Sequence, residues 1–283
     1  MRPALAALLV GATCIALSPI FVRIADVAPT ASAFWRVALA APLLWALVLA
    51  APRAPGTRSG TALLIAAGFA FAGDLAFWHW SIRFTSVANS TLLANLASLF
   101  VTLALWLFWR QRPRALFLLG LAAALAGVAM LVHTSLAFSP TALLGDALGV
   151  VTAVFYAGYI LAVKELRDRG AATLRLMAIT TSVTALFLFP VALASGEALL
   201  PPSALGWAKL VGLAWISHCA GQGLIAYSLA HLPAPFSSVS LLFQPVMSAA
   251  FGWVLLGEPL VPLQTLGGLV VLAGIYLARR GSS

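Results

Sequence analysis

Residues 60–82 read GTALLIAAGFAFAGDLAFWHWSI, an apolar run with a single formal charge, Asp74. A bilayer core of about 30 Å is crossed by about 20 apolar residues wound as a helix, so this stretch reads as a transmembrane span. The remainder of the chain agrees. Of its 283 residues, 63% are hydrophobic and 8% charged, whereas a soluble domain carries about 25% charged residues. So few charges cannot cover a water-facing exterior. The same arithmetic excludes disordered, collagen-like, disulfide-scaffold and coiled-coil classes.

Working outward from 60–82, runs of similar length fall near 4–24, 31–51, 87–109 and 115–132, and then near 144–163, 173–194, 206–229, 236–256 and 263–279. Charges and turn formers separate them, as at Ala54-Pro55-Gly56-Thr57-Arg58 and Arg110-Gln111-Arg112-Pro113-Arg114. No ten-residue alternating pattern appears, which excludes a transmembrane barrel. The expected fold is all-α, with ten transmembrane helices. The first run resembles a secretory signal but continues through Phe21 and Val22, so a retained first span is expected. Cys14 and Cys219 lie inside apolar runs and form neither a disulfide framework nor a metal site.

The net charge of +9 is a topology signal. Arg2, Arg53, Arg58, Arg110, Arg112, Arg114, Lys164, Arg167, Arg169, Arg175, Arg279 and Arg280, 12 of the 16 basic residues, fall on the side of the N-terminus, the even-numbered loops and the C-terminus. Only Arg23, Arg36, Arg83 and Lys209 fall on the other. Basic residues stay cytoplasmic, so both termini are expected in the cytoplasm. An abundance of Ala and of Arg over Lys points to a GC-rich bacterial genome, hence a bacterial inner membrane. Basic residues never gather with aromatics on one polar segment, which argues against nucleic acid as a partner.

The halves of the chain are alike. A shift of 147 residues pairs Trp80-Ser81 with Tyr227-Ser228, Trp106 with Trp253, Gly120 with Gly267 and Gly127 with Gly274; a shift of 141 pairs Arg23 with Lys164. Two units of five spans, residues 1–138 and 139–283, would insert upside down relative to each other. Inverted repeats of this kind build secondary transporters around one midplane site.

Ionisable and polar groups within spans mark that site, because burying them in hydrocarbon is costly. Asp74 is the one acid deep in an apolar run, and Trp78 lies one helical turn from it, beside His79. His218 and Gln222 form the matching stripe on the eighth run. Thr91, Asn95, Ser98 and Thr102 line the fourth, and Ser237, Ser240, Gln244 and Ser248 the ninth; either set serves as helix–helix glue or as lining. Pro245 would free the Leu241 carbonyl. Tyr156 and Tyr159 share a face of the sixth run, and Ser18-Pro19 breaks the first opposite Tyr159-Ile160. Glycines at 120, 127, 267, 268 and 274 suit close helix packing. No metal-ligand spacing, phosphate loop, hydrolase motif or channel filter is present, and no cofactor is expected.

Ala-Tyr-Ser-Leu-Ala (226–230), Gln244-Pro245-Val246, Leu-Leu-Gly-Glu-Pro-Leu (255–260) and Gln264 through Gly267 and Gly274 resemble the second half of the drug/metabolite transporter superfamily. The resemblance is to its ten-helix, two-repeat bacterial branch, most of all the YddG-type exporters of aromatic amino acids. The first half carries Arg110-Gln111-Arg112 in place of Gly257-Glu258-Pro259, a departure that argues against a symmetric role for Glu258. The resemblance implies a central cavity lined by spans one, three, four, six, eight and nine. Carried onto this chain, it assigns substrate contact to Trp78, His79, Asn95, Tyr156, Tyr159, His218, Gln222 and Gln244; Asp74, the acid deep in its run, is the candidate coupling group on the ground of its position. The expected function is export of hydrophobic amino acids, aromatic ones first, by alternating access. Organic phosphates would want cavity cations, and Arg36 and Arg83 sit near span ends. Two alternatives stay open: a membrane-embedded enzyme or receptor using Asp74 and His79, and a transporter of organic phosphates or drugs. The partners are a small molecule and the bilayer, and ten helices can enclose one pathway in a monomer.

Overall fold

The computed structural model describes residues 2–51, 60–133 and 142–282. Among them every regular element is helical and none is a strand. Ten helices are long and apolar enough to cross a membrane: Arg2–Ile24, Pro29–Ala50, Thr61–Phe84, Asn89–Trp109, Ala115–Val132, Ala142–Asp168, Thr173–Ala194, Ala204–Leu229, Ala234–Leu256 and Pro262–Gly281. They are numbered spans 1 to 10 below. Each lies within a few residues of its expected run. The expected boundary at 138/139, and Arg53 and Arg58, fall outside the described residues.

Local chemistry sets the helix ends. Pro29 and Pro262 begin spans 2 and 10, where the missing N–H and fixed φ of proline are tolerated. Ser86 and Ser203 cap spans 4 and 8, accepting from Asn89 N at 3.0 Å and Gly206 N at 2.9 Å. Spans 4 and 9 end alike, 147 residues apart. Gln111 N donates to Leu105 O at 3.1 Å, and Glu258 N to Gly252 O at 3.2 Å. Each turn places one residue in the left-handed region, Arg110 at φ 55° and Gly257 at φ 68°.

Several spans are interrupted within the membrane. Span 1 breaks at Leu17, just before Pro19, and span 2 at Leu39. Span 4 breaks at Asn95-Leu96 and span 9 at Leu241-Leu242. Span 6 runs unbroken from Ala142 to Asp168, so the sequence opposite Ser18-Pro19, at Tyr159-Ile160, continues as helix. Span 8 is wound as a π-helix over Leu213–Gln222.

Packing pairs the two halves. Spans 5 and 10 meet backbone to backbone: a Cβ on Gly120 would lie 2.3 Å from Ala278 N, and one on Gly127 2.6 Å from Gly267 O. Small residues permit this approach, and close contact is what holds helices together in lipid. Span 3 packs on span 6 as span 8 packs on span 1, and spans 4 and 9 follow on spans 6 and 1. The same hydrogen bond locks both: Ser81 Oγ donates to Gly145 O at 2.7 Å, and Ser228 Oγ to Ala4 O at 2.9 Å. These donors are 147 residues apart and the acceptors 141, the two shifts visible in the sequence. Outward faces carry exposed apolar residues such as Leu107, Phe108, Leu119 and Leu186, which suit contact with acyl chains.

Candidate functional site

Asp74 occupies the middle of span 3, which runs unbroken from Thr61 to Phe84. One turn later Trp78 and His79 meet ring to ring, with centroids 4.8 Å apart. His79 Nδ1 lies 2.6 Å from Leu75 O. A carbonyl only accepts, so Nδ1 carries the proton, and His79 Nε2 is left buried without a partner among the described residues.

Span 8 meets this helix through its π-wound segment. A π-turn shifts the register of the side chains it carries, and such turns are frequent at functional sites. Here it holds His218 and Gln222, both buried. His218 Nε2 is 2.8 Å from Thr181 Oγ1 on span 7, and its ring lies 5.4 Å from Phe71. Phe71 also contacts Tyr159 at 4.7 Å, and Tyr159 stacks on Tyr156 at 6.1 Å and 15°. The Tyr156 hydroxyl is in polar contact with the side chains of Gln222 and Gln244. Spans 3, 6, 8 and 9 therefore bring Asp74, His79, Tyr156, Tyr159, His218, Gln222 and Gln244 into one interior cluster.

Arg36 completes it, and corrects the sequence reading that placed this residue near a span end. Span 2 begins at Pro29, two residues earlier than the apolar run suggests, which moves Arg36 two turns into the helix. Its side chain is 8% exposed and lies within the electrostatic reach of Asp74, Tyr156 and Tyr159. The interior thus holds a cation, and an anionic group is no longer disfavoured there for want of one.

Five buried polar atoms of the cluster have no hydrogen-bond partner among the described residues: Arg36 Nε, His79 Nε2, His218 Nδ1, Gln222 Oε1 and Gln244 Nε2. Leaving one such group unsatisfied costs about 1–3 kcal/mol, and native interiors contain few. Their convergence among aromatic rings makes a surface able to bond a polar ligand while stacking on its apolar part.

Two expected features are arranged differently. Asn95 Nδ2 donates to Thr91 O at 2.7 Å, and the Asn95 main-chain carbonyl accepts from Ser98 Oγ at 3.1 Å, so Asn95 stitches the break in span 4. The Leu241 carbonyl is not freed by Pro245, because it accepts from Gln244 N at 2.9 Å; the chain tightens into a three-residue turn there. Glu258 lies away from the cluster and pairs with Arg23 at the end of span 1. Among the described residues no three His, Cys, Asp or Glu side chains converge on a metal site. A surface cleft lined by Thr102, Gln111, Arg112, Arg114, Pro233 and Ser282 shares no residue with the cluster.

Phe71 and Thr181 were not singled out in the sequence. Phe71 is one of sixteen phenylalanines, and its only signal is its place three residues before Asp74. Thr181 lies among Thr180, Ser182 and Thr184, and nothing distinguishes it from residues that bond their own helix.

The chain resembles known transporters along nearly its whole length. It is 29% identical over 269 residues to an uncharacterized transporter of Archaeoglobus fulgidus, with 91% of each chain covered. It is 27% identical over 248 residues to a pseudopaline exporter of Pseudomonas aeruginosa, covering 87% of this chain and 84% of that one. A probable amino-acid metabolite efflux pump of Salmonella typhimurium is 27% identical over 239 residues, covering 81% of this chain and 78% of the relative. A solved crystal structure superposes with a TM-score of 0.82 over 99% of this chain and 96% of that one, at 18% identity, which establishes the fold. The model of the EamA-like transporter family matches twice, over residues 2–133 and 143–280. A multi-pass membrane protein with ten spans and two such matches belongs to the EamA-like transporter family.

Proposed function

We propose that this protein exports small metabolites, hydrophobic amino acids with aromatic ones first, across the bacterial cytoplasmic membrane. The two units, residues 1–138 and 139–283, act as inverted repeats that alternate access to the interior cluster, and both termini face the cytoplasm. Trp78, His79, Tyr156, Tyr159, His218, Gln222 and Gln244 contact the substrate, Asn95 borders its path, and Asp74 carries the coupling charge. The monomer suffices for one pathway.

The observation that carries this reading is the set of five unpartnered polar atoms placed beside Phe71, Trp78 and the stacked tyrosines. Amides and imidazoles of this kind bond ammonium and carboxylate groups, and the rings accept an aromatic side chain. That two relatives are named as exporters of metabolites supports the direction and the substrate class.

Purified protein in liposomes tests it. Labelled phenylalanine should cross faster than in empty liposomes, and His79→Ala or Gln244→Ala should slow it while Ser283→Ala does not. Chemical conversion of a membrane compound without movement of any amino acid would instead favour an enzyme built on Asp74 and His79. Flux that rises with an imposed pH gradient and loses that response in Asp74→Asn would assign the coupling role.

A further inference from the structure

The fixed charges of the cluster are one guanidinium and one carboxylate, and they are not joined. Span 2 starts and span 3 ends on the same side of the bundle. Seven residues separate Arg36 from Pro29 and ten separate Asp74 from Phe84, so at about 1.5 Å per residue the two lie about 10 and 15 Å from that end. Each falls within the other's electrostatic reach. Yet the ion pairs among the described residues are Arg23–Glu258, Lys164–Asp168, Arg169–Glu165 and Lys209–Asp26. Neither Arg36 nor Asp74 takes part in any of these, and among the described residues neither makes a side-chain hydrogen bond. A purely structural buried pair is stable only at contact, with the remaining donors and acceptors satisfied. This pair meets neither condition.

We propose that Arg36 and Asp74 divide the two charges of a zwitterionic substrate between them. The substrate carboxylate takes the planar fork of Arg36, a geometry that matches two oxygens at once, and its ammonium takes Asp74. His79 and His218, both within the electrostatic reach of the guanidinium, and the amides of Gln222 and Gln244 fill the remaining hydrogen-bonding positions. The α-carbon substituent lies against Tyr156, Tyr159 and Phe71. A zwitterion inserted here keeps the fixed charges of the site balanced. A phosphate ester, with its excess negative charge, would face one cation already offset by Asp74. The class of ligand is therefore an α-amino acid or a similar compound bearing both charges, which sharpens the transport reading and rests on it.

The experiment compares one ring and one aliphatic chain in three charge forms. Phenylalanine, phenylpropionate and phenethylamine form the first set; leucine, isocaproate and isoamylamine form the second. In liposomes holding the wild-type protein, the zwitterion of at least one set should move roughly tenfold or more faster than its anion and its cation, the worth of one charged hydrogen bond. Asp74→Asn should lose discrimination against the anion, and Arg36→Gln against the cation. Arg36→Lys, which keeps the charge without the fork, should retain the wild-type order at a lower rate and shows that the site still folds. Equal wild-type rates for all three forms overturn the proposal. So do variants that slow all three alike and leave their order unchanged, and in both cases the transport reading survives. Movement of none of the six compounds overturns both.

Discussion

The ends of spans 8 and 9 close against span 6, while the corresponding ends of spans 3 and 4 stand apart from span 1. Residues Gly223–Leu229 and Ala234–Ser240 both pack on span 6, but among the described residues no comparable contact joins span 1 to span 3 or span 4. Burial follows. Leu229, Val239, Ser240 and Leu241 are buried, whereas their counterparts 147 residues earlier, Ile82, Leu92, Leu93 and Ala94, are all partly exposed. Two stretches of like fold thus have unlike packing, and the difference lies in tertiary contact. A transporter with alternating access needs two ends that close in turn. Under the proposed topology, the closed end faces the cytoplasm and the open end the periplasm.

The seam of spans 5 and 10 joins both halves, and under the proposed alternation it would hold whichever end is closed. Breaking it should therefore do more damage than a change at either end. Gly127→Leu would push a branched side chain into Gly267 O and Val271 N, both under 3.0 Å from the new Cβ. Overpacking usually costs about 1–3 kcal/mol, and backbone cannot yield as a side chain does, so the top of that range or beyond is expected. The check is loss of the monodisperse peak of detergent-purified protein. Gly268→Ala, whose Cβ would meet only Val246 at 3.5 Å, should leave that peak intact.

A second prediction reads the open and closed ends directly. In a background with Cys14→Ala and Cys219→Ala, Leu93→Cys labelled by a membrane-impermeant maleimide from the periplasmic side should react several times faster than Ser240→Cys labelled from the cytoplasmic side, because thiol reactivity follows exposure. Equal rates would mean that the asymmetry does not persist in a bilayer. Rates reversed in sign would mean that the resting protein is closed at the other end.

Much of this symmetry was legible in the sequence. Bilayer thickness dictates span length, so ten spans follow from apolar runs alone. The shifts of 147 and 141 recover the paired Ser81 and Ser228 bonds, since those donors and acceptors occupy equivalent positions. Hydrogen-bond register was not legible. Nothing in LAWISHCAGQ, residues 213–222, announces π-winding, and the turn that engages the Leu241 carbonyl depends on where span 9 breaks. Arg36 was misplaced because the run was counted from its apolar residues, although Pro29 is a first-turn residue. The unequal closure of the two ends was invisible because it lies in tertiary contacts between the halves, which the local likeness of the two repeats does not encode.

The two left-handed caps give a smaller effect with opposite signs. Arg110 and Gly257 hold the same turn, at φ 55° and 68°. A residue with a Cβ is strained there by about 1–2 kcal/mol, while glycine is not. Arg110→Gly should raise thermal stability and Gly257→Ala should lower it, each by about 1 kcal/mol. Melting of the two variants in the same detergent measures the difference. Shifts of the same sign would show that the caps are not equivalent.

The smallest effects concern the charges at the two ends. Span 1 ties its open end to the second half of the chain, through Arg23 to Glu258 and through Asp26, whose carboxylate accepts from Lys209 Nζ at 2.8 Å and Ser203 Oγ at 3.1 Å. Span 6 spends its charges on itself, in Lys164–Asp168 and Arg169–Glu165 pairs one turn apart. Exposed pairs are screened by solvent and contribute little, so removing either kind barely moves stability; their use lies in what they connect. The Lys209 ammonium holds the Asp26 carboxyl below its ordinary range. A depressed folded-state pKa means that the link is complete above the unfolded value of about 4 and is lost as pH falls through the lower one. Lys209→Met should therefore lower the melting temperature slightly and equally at pH 8 and pH 6, with the gap to wild type closing only below about pH 4. Lys164→Met should leave the open end untouched: labelling of Leu93→Cys should change in the Lys209 variant and not in the Lys164 variant. The reverse result would mean that the cross-helix links do not set the width of the open end.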